Sequence, residues 1–263
     1  MTEVSAQVLP SSSPKLFRNI KGIILDFDGT LFDSGMFAFR VITANPLELL
    51  RVWRERLVRK RFAGYDYSSP EKYYRAFFAI LGKACSRSPQ RMRCWYYNRY
   101  MPRMVRVLKR HYKPRPGVAE LLRRYSADGP ASGALPKIAI YSDYPFLAQR
   151  LEALGLSPGA IPLYCPEYFG AQKPAARPFT SIAESFGLVP EEILVVGDRE
   201  DTDGLGAFRA GMRFFCLETG RKRYYRLDPN RQRVKEEPHG PLLLMYAGAW
   251  NDLYSLLVKH FFN

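Results

Sequence analysis

Short unbroken apolar runs recur along the chain, and three of them stop at polar residues in the same way. Ile23-Ile24-Leu25 ends at Asp26, residues 138–141 end at Ser142, and residues 193–196 end at Gly197-Asp198. A run without polar alternation suits a strand covered on both faces, as in a parallel sheet. Helical patterns separate the runs. Residues 117–125 precede the second run, residues 146–154 follow it and stop at Gly155, and residues 178–186 lead to the third and stop at Gly187. Residues 161–164 and 213–217 supply two further strands. Strands alternating with helices predict a doubly wound α/β parallel sheet, whose ligand crevice opens where the carboxyl ends of the strands meet.

The rhythm breaks between residues 34 and 113, which offer helices and no strand. Residues 46–62 form one helix. Ser68, followed three residues later by Glu71, reads as a capping box with Pro70 in the first turn, and Tyr73, Phe77 and Leu81 then make an apolar stripe. Ser88-Pro89 opens another helix with Met92, Trp95 and Tyr96 on one face, which Pro102 is expected to break or kink. The chain closes with a helix over 242–261. These patterns divide it into a flexible arm (1–15) carrying Ser11-Ser12-Ser13-Pro14, a core (16–33 and 114–263) and an all-α insertion (34–113).

Composition adds little until charge is mapped. Hydrophobic residues are 47% and charged residues 25% of the chain, which argues against disorder and against membrane embedding. The longest strongly apolar stretch, 242–250, stops at Asn251-Asp252, well short of the roughly 20 residues of a membrane span. Residues 1–15 lack the layout of a secretory signal. Cys85, Cys94, Cys165 and Cys216 show no CxxC spacing, which fits a reducing cytoplasm. The net charge of +15 is concentrated: residues 34–115 hold twenty Lys and Arg against Glu48, Glu55, Asp66 and Glu71. Such asymmetry points to an anionic counterpart, be it substrate, nucleic acid or lipid.

Asp26-Phe27-Asp28-Gly29-Thr30 sets two carboxylates two residues apart just past a buried strand, where alternation turns both to the same side. One can attack while the other handles protons, and Gly29 allows the tight turn that follows. An ordinary Asp-Gly turn would leave the same string. Ser142 and nearby backbone N–H groups could bind a phosphoryl oxygen beside Asp26, or the serine could simply cap the next helix. Lys173 could neutralise charge on a transferring group, or lie on the surface. Residues 197–203 gather Asp198, Glu200, Asp201 and Asp203 where a hard cation would fit, although a helix start favours acids as well.

These four elements, in this order and each at a strand end, resemble the four motifs of the haloacid dehalogenase superfamily over residues 23–217. The resemblance implies a Rossmann-like core with a helical cap inserted after the first motif, and a Mg²⁺-dependent phosphatase acting on a small phosphate monoester. It implies that Asp26 attacks phosphorus and becomes an aspartyl phosphate, while Asp28 protonates the leaving oxygen and then activates water. Ser142, Lys173, Gly29 and Thr30 are expected to hold the phosphoryl group. The metal is expected on Asp26, the backbone carbonyl of Asp28 and Asp198, supported by Asp203 or Asp201. The carboxylate at position 28 separates the chain from the dehalogenase branch, which lacks one there; a phosphomutase would share every residue named.

The basic cap admits three readings. Its arginines could recognise a substrate anionic beyond its phosphate. The cap could dock on nucleic acid or an anionic membrane surface, with Trp95, Tyr96, Tyr97 and Tyr100 stacking on bases, even as a non-catalytic module. Or Arg51, Arg54, Arg59 and Arg61 form a solvated helix face over an aromatic core. Arg221-Lys222-Arg223 with Tyr224 and Tyr225 is open to the same readings.

Overall fold

The structure is a computed structural model that describes residues 7–8, 17–128, 135–217 and 245–261. Among these, seven strands form one parallel sheet: β1 (Gln7–Val8), β2 (Gly22–Leu25), β3 (Lys137–Tyr141), β4 (Leu163–Tyr164), β5 (Ile193–Gly197), β6 (Arg213–Leu217) and β7 (Met245–Gly248). Their order across the sheet is β1-β7-β6-β5-β2-β3-β4, with every neighbour parallel. Ile23, Leu25, Ile138, Ile140, Leu194 and Val196 enter the apolar core on one face. Ile24, Ala139, Ile193 and Val195 enter the core on the other, with Phe179 and Ile182 of the helix Ala176–Phe186. Period-two alternation between two buried faces is why the strands read as continuous apolar runs.

The register fixes where chemistry can occur. Leu25 pairs with Ile140 on one side and Val196 on the other, so Asp26 leaves β2 level with Tyr141 and Gly197. Its backbone N–H donates to Val196 O at 2.9 Å, which extends the ladder by one step before the chain turns.

Between β2 and β3 the chain is helical, through Phe37–Thr43, Leu49–Phe62 entered by a 3₁₀ turn Pro46–Glu48, Pro70–Cys85, Pro89–Trp95 and Met101–His111. The apolar core of this insert, including Phe62, Tyr73, Phe77, Trp95, Tyr96 and Tyr100, is continuous with that of one sheet face. Trp95, Tyr96 and Tyr100 are therefore core side chains, and Tyr97 is half-buried with its hydroxyl donating to Glu167 at 2.7 Å. That burial corrects the expectation that these rings stack on bases. Arg59 likewise belongs to the interior and not to a solvated helix face.

Other boundaries differ from the sequence reading for local reasons. Pro102 neither breaks nor ends its helix: a π-helical turn, Tyr96–Tyr100, precedes it and absorbs the missing N–H. The N-cap before Pro70 is Ser69, not Ser68, because a residue preceding proline is driven to extended backbone; Ser69 has φ −150° and accepts from Lys72 N at 3.4 Å. The final helix is Trp250–Phe261, and residues 245–248 join the sheet instead, as β7 beside β6. Gln7–Val8 pair with Tyr246 and Ala247, so these two residues are strand and not loose arm; the rest of 1–15 and the segment 221–225 lie outside the described residues. The edge strand β4 is confined to Leu163–Tyr164. No described helix is long and apolar enough to cross a membrane.

The insert meets the core at Gly170, which has φ +65° and lies against the Ser69–Pro70 peptide, where a Cβ would fall 2.2 Å from Ser69 O. Gly170→Ala is expected to destabilise the protein by about 2 kcal/mol or more, through strain and overpacking, read as a lower denaturation midpoint.

Candidate active site

Lys173 is the centre of the site. Its ammonium is buried and donates to Asp26 Oδ1 at 2.6 Å, Asp203 Oδ1 at 2.7 Å and Tyr141 O at 2.8 Å, which uses all three N–H bonds. Its own backbone N–H donates to Asp143 Oδ1 at 3.1 Å. Thus the segment after Gly170 is pinned to the loop after β3, and its side chain spans from β2 to the loop after β5. Burial alone would depress the ammonium, but Asp203, Asp26 and Asp143 together hold it above the ordinary lysine range.

Asp26 Oδ2 accepts a long bond from the buried Thr30 hydroxyl at 3.3 Å. Arg115 clamps the intervening turn, donating to Gly29 O at 2.9 Å and Thr30 O at 3.1 Å. Gly29 adopts φ +91°, and a Cβ there would lie 2.1 Å from Asp198 Oδ2, so glycine admits the Asp198 carboxylate directly over the turn. Carboxylate oxygens of Asp26, Asp198 and Asp203 come within 4.8 Å of one another. Asp201 instead pairs at the surface with Arg199, at 2.6 and 3.0 Å, so of the two candidates only Asp203 joins the cluster.

The acids outweigh the single lysine. Burial, then Asp203, push Asp26 up to about 7 against the pull of Lys173. Asp203 is pushed up to about 6, again chiefly by burial. Three carboxylates with an uncompensated negative charge suit a hard divalent cation, which would relieve the repulsion that raises them.

Asp28 points elsewhere. The fully buried Arg150 donates from Nη2 to both of its carboxylate oxygens at 2.6 Å, and Ser142 Oγ donates to Oδ2 at 3.4 Å. Ser142 Oγ also accepts from Tyr144 N and Arg150 Nη1, both at 3.2 Å. Its hydroxyl thus bonds within the Asp28 arm of the site and not to Asp26. Tyr144 fills the space between insert and core: Arg59 lies 4.1 Å above its ring and Arg150 lies 5.9 Å from it. Arg59 is held by the buried Glu55 and donates to Asp143 O at 2.8 Å, so the insert touches the loop that carries Ser142.

A family model of haloacid dehalogenase-like hydrolases matches residues 20–211, which contain every group just described. The chain belongs to that family. Solved structures of this hydrolase fold cover nearly all of it. A hydrolase from Pseudomonas syringae is 21% identical with TM-score 0.55, covering 91% of this chain and 98% of that one. A 2-haloacid dehalogenase from Pseudomonas syringae pv. Tomato DC3000 is 20% identical with TM-score 0.52, covering 80% and 90%. A provisionally assigned HAD-hydrolase from Bacillus subtilis, bound to magnesium, is 17% identical with TM-score 0.54, covering 90% and 98%. A curated relative, the glyceraldehyde 3-phosphate phosphatase of Methanopyrus kandleri, is 30% identical over 119 residues, or 45% of this chain; the chain spans about half, 48%, of that protein.

Arg150, Arg115, Asp143, Tyr144 and Arg59 were not singled out as site residues by sequence. Asp143 and Tyr144 follow Ser142 directly, so proximity was their only signal; the bonds of Arg59 to Asp143, Arg115 to Thr30 and Arg150 to Asp28 each span 84 or more residues.

An acid whose pKa is raised on folding binds protons more tightly folded than unfolded. The contribution of Asp26 and Asp203 therefore turns unfavourable as pH rises from their ordinary 3.8 towards 6 and 7. A divalent cation is expected to raise the thermal midpoint more at about pH 7.5 than at about pH 5.5, and Asp203→Asn to shrink that shift, by scanning calorimetry.

Proposed function

We propose that this hydrolase cleaves a small phosphate monoester with Asp26 as nucleophile. The observation that carries the reading is the pairing of Asp26 with Lys173, beside an acidic trio, while a second carboxylate, Asp28, is held two residues away by Arg150. A dehalogenase needs no proton donor for a halide, which departs as a stable anion. An alkoxide does need one, and Asp28 supplies it.

In this mechanism an Asp26 carboxylate oxygen forms a bond to phosphorus as the bond to the leaving oxygen breaks, and Asp28 gives that oxygen a proton. Water then attacks the aspartyl phosphate, Asp28 takes its proton, and phosphate leaves with Asp26 restored. Lys173 offsets negative charge as the nucleophile and phosphoryl group approach. The Thr30 hydroxyl and the turn at Gly29 shape the phosphoryl site, with Ser142 at its Asp28 side. Mg²⁺ on Asp26, Asp198 and the backbone carbonyl of Asp28, with Asp203 supporting, would polarise the phosphoryl oxygens. Both Asp28 oxygens rest on Arg150, so one of those bonds must yield before the proton is given. Transfer of the phosphoryl group to a second hydroxyl, as in a phosphomutase, would use the same residues.

The half-buried Arg56, on the helix that carries Arg59, supports a substrate with a second anionic group. Its guanidinium is raised, first by Tyr144 and least by Asp28. The absence of any disulfide among the four cysteines supports a reducing, cytoplasmic setting.

Phosphate release should be measured across nucleotides, triose phosphates and p-nitrophenyl phosphate, with Mg²⁺ or chelator. Asp26→Asn is expected to abolish turnover while the fold persists; retained activity defeats the mechanism. Asp28→Asn and Arg150→Met are each expected to lower kcat on an alkyl phosphate by about 10²–10⁴-fold. If Arg150 acts through Asp28, the double variant will be little worse than either single one.

A further inference from the structure

The helix Leu49–Phe62 with its 3₁₀ entry Pro46–Glu48 is turned inside out. Its acids face inward: Glu48 is buried against Arg103, with Arg51 at 3.2 Å and Arg99 at 3.4 Å, and Glu55 is buried against Arg59. Its outer arc presents Leu47, Leu50, Trp53 and Leu57, exposed by 96, 51, 50 and 41%. At helical spacing Arg54, Lys60 and Arg61 share that arc, and no carboxylate does. The short helix Phe37–Thr43 packed against it adds the exposed Phe39. Neither the sheet core nor the catalytic crevice uses any of these side chains; Arg59, which does reach the crevice, projects from the opposite side of the helix.

Leu and Trp flanked by Arg and Lys, with acids withdrawn, is the chemistry of a helix lying in the plane of an anionic bilayer. A second copy of the chain is disfavoured, because it would bring Arg54, Lys60 and Arg61 towards their own equivalents. The remaining acids of the insert do not relieve this: Asp66 is tied to Arg177 at 2.7 Å and Glu71 accepts from Ser69 at 2.8 Å. A nucleic acid would answer the cations but leave Leu50 and Leu57 uncovered, and Trp95, Tyr96 and Tyr100 are buried. We infer that the outer face of residues 46–62 docks the protein peripherally on a membrane surface carrying anionic lipid headgroups, Trp53 and its leucine neighbours entering the headgroup boundary.

The test uses the full chain and does not depend on phosphatase activity. Vesicles of phosphatidylcholine with about 30 mol% phosphatidylglycerol, and of phosphatidylcholine alone, are sedimented with the protein. Trp95 and Trp250 are buried, so a blue shift of emission on binding reports Trp53. The expected result is at least about 10-fold tighter binding to the anionic vesicles, weakened by salt. Leu50→Gln with Trp53→Gln, and separately Lys60→Glu with Arg61→Glu, should each reduce it about 10-fold or more with the thermal midpoint unchanged. Failure to sediment with anionic vesicles, or undiminished binding by the Leu50/Trp53 variant, overturns the inference. So does a wild-type dimer that this variant dissolves, which would give the face to a second copy, or capture of duplex DNA without vesicle binding.

Discussion

One buried ammonium organises the end of this molecule where β2, β3 and β5 stop. Lys173 reaches Asp26 after β2, the Tyr141 carbonyl at the end of β3 and Asp203 after β5, three segments with no covalent proximity. A buried lysine is tolerable only with its charge answered and its donors filled, and this one meets both conditions. The surplus runs the other way: burial and clustered acids push Asp26 up to about 7 and Asp203 up to about 6, beyond what one cation offsets. The parallel register makes this possible by ending β2, β3 and β5 at one level.

The strand ends and the four motifs were legible because each is a local signal: an apolar run of defined length followed by a polar residue or glycine. Asp26, Lys173, Asp198 and Asp203 lie together in the structure, and the sequence did not choose between Asp201 and Asp203. The choice depends on Arg199, which draws Asp201 to the surface. Arg150 lay beyond reach because its partner Asp28 is 122 residues away and a helical arginine carries no mark of burial. The short apolar run at 245–248 was absorbed into a helix because its strand character comes from pairing with β6, not from its own pattern. Charge in the insert was visible as a total but not as a distribution, since helical phase alone does not say which side is inward.

That distribution shows how the fold handles an unusual composition. Glu48 answers three arginines and Glu55 fixes a fourth, so acids scarce in sequence become interior anchors, while most other cations are left to solvent. Burying ion pairs gives little net stability, yet removing one partner would strand its counterpart at a cost of about 3–5 kcal/mol. The insert is accordingly held in one arrangement by groups that tolerate little change.

Tyr144 stands between two of the buried guanidinium groups, Arg59 from the insert and Arg150 from the core. Its ring is a spacer that lets two like charges approach a common crevice while each keeps its own carboxylate. Withdrawal of Arg59 would leave Arg150 alone against that ring, and Arg150 is what holds Asp28. One aromatic side chain thus stands beside both the guanidinium that joins insert to core and the guanidinium that holds Asp28.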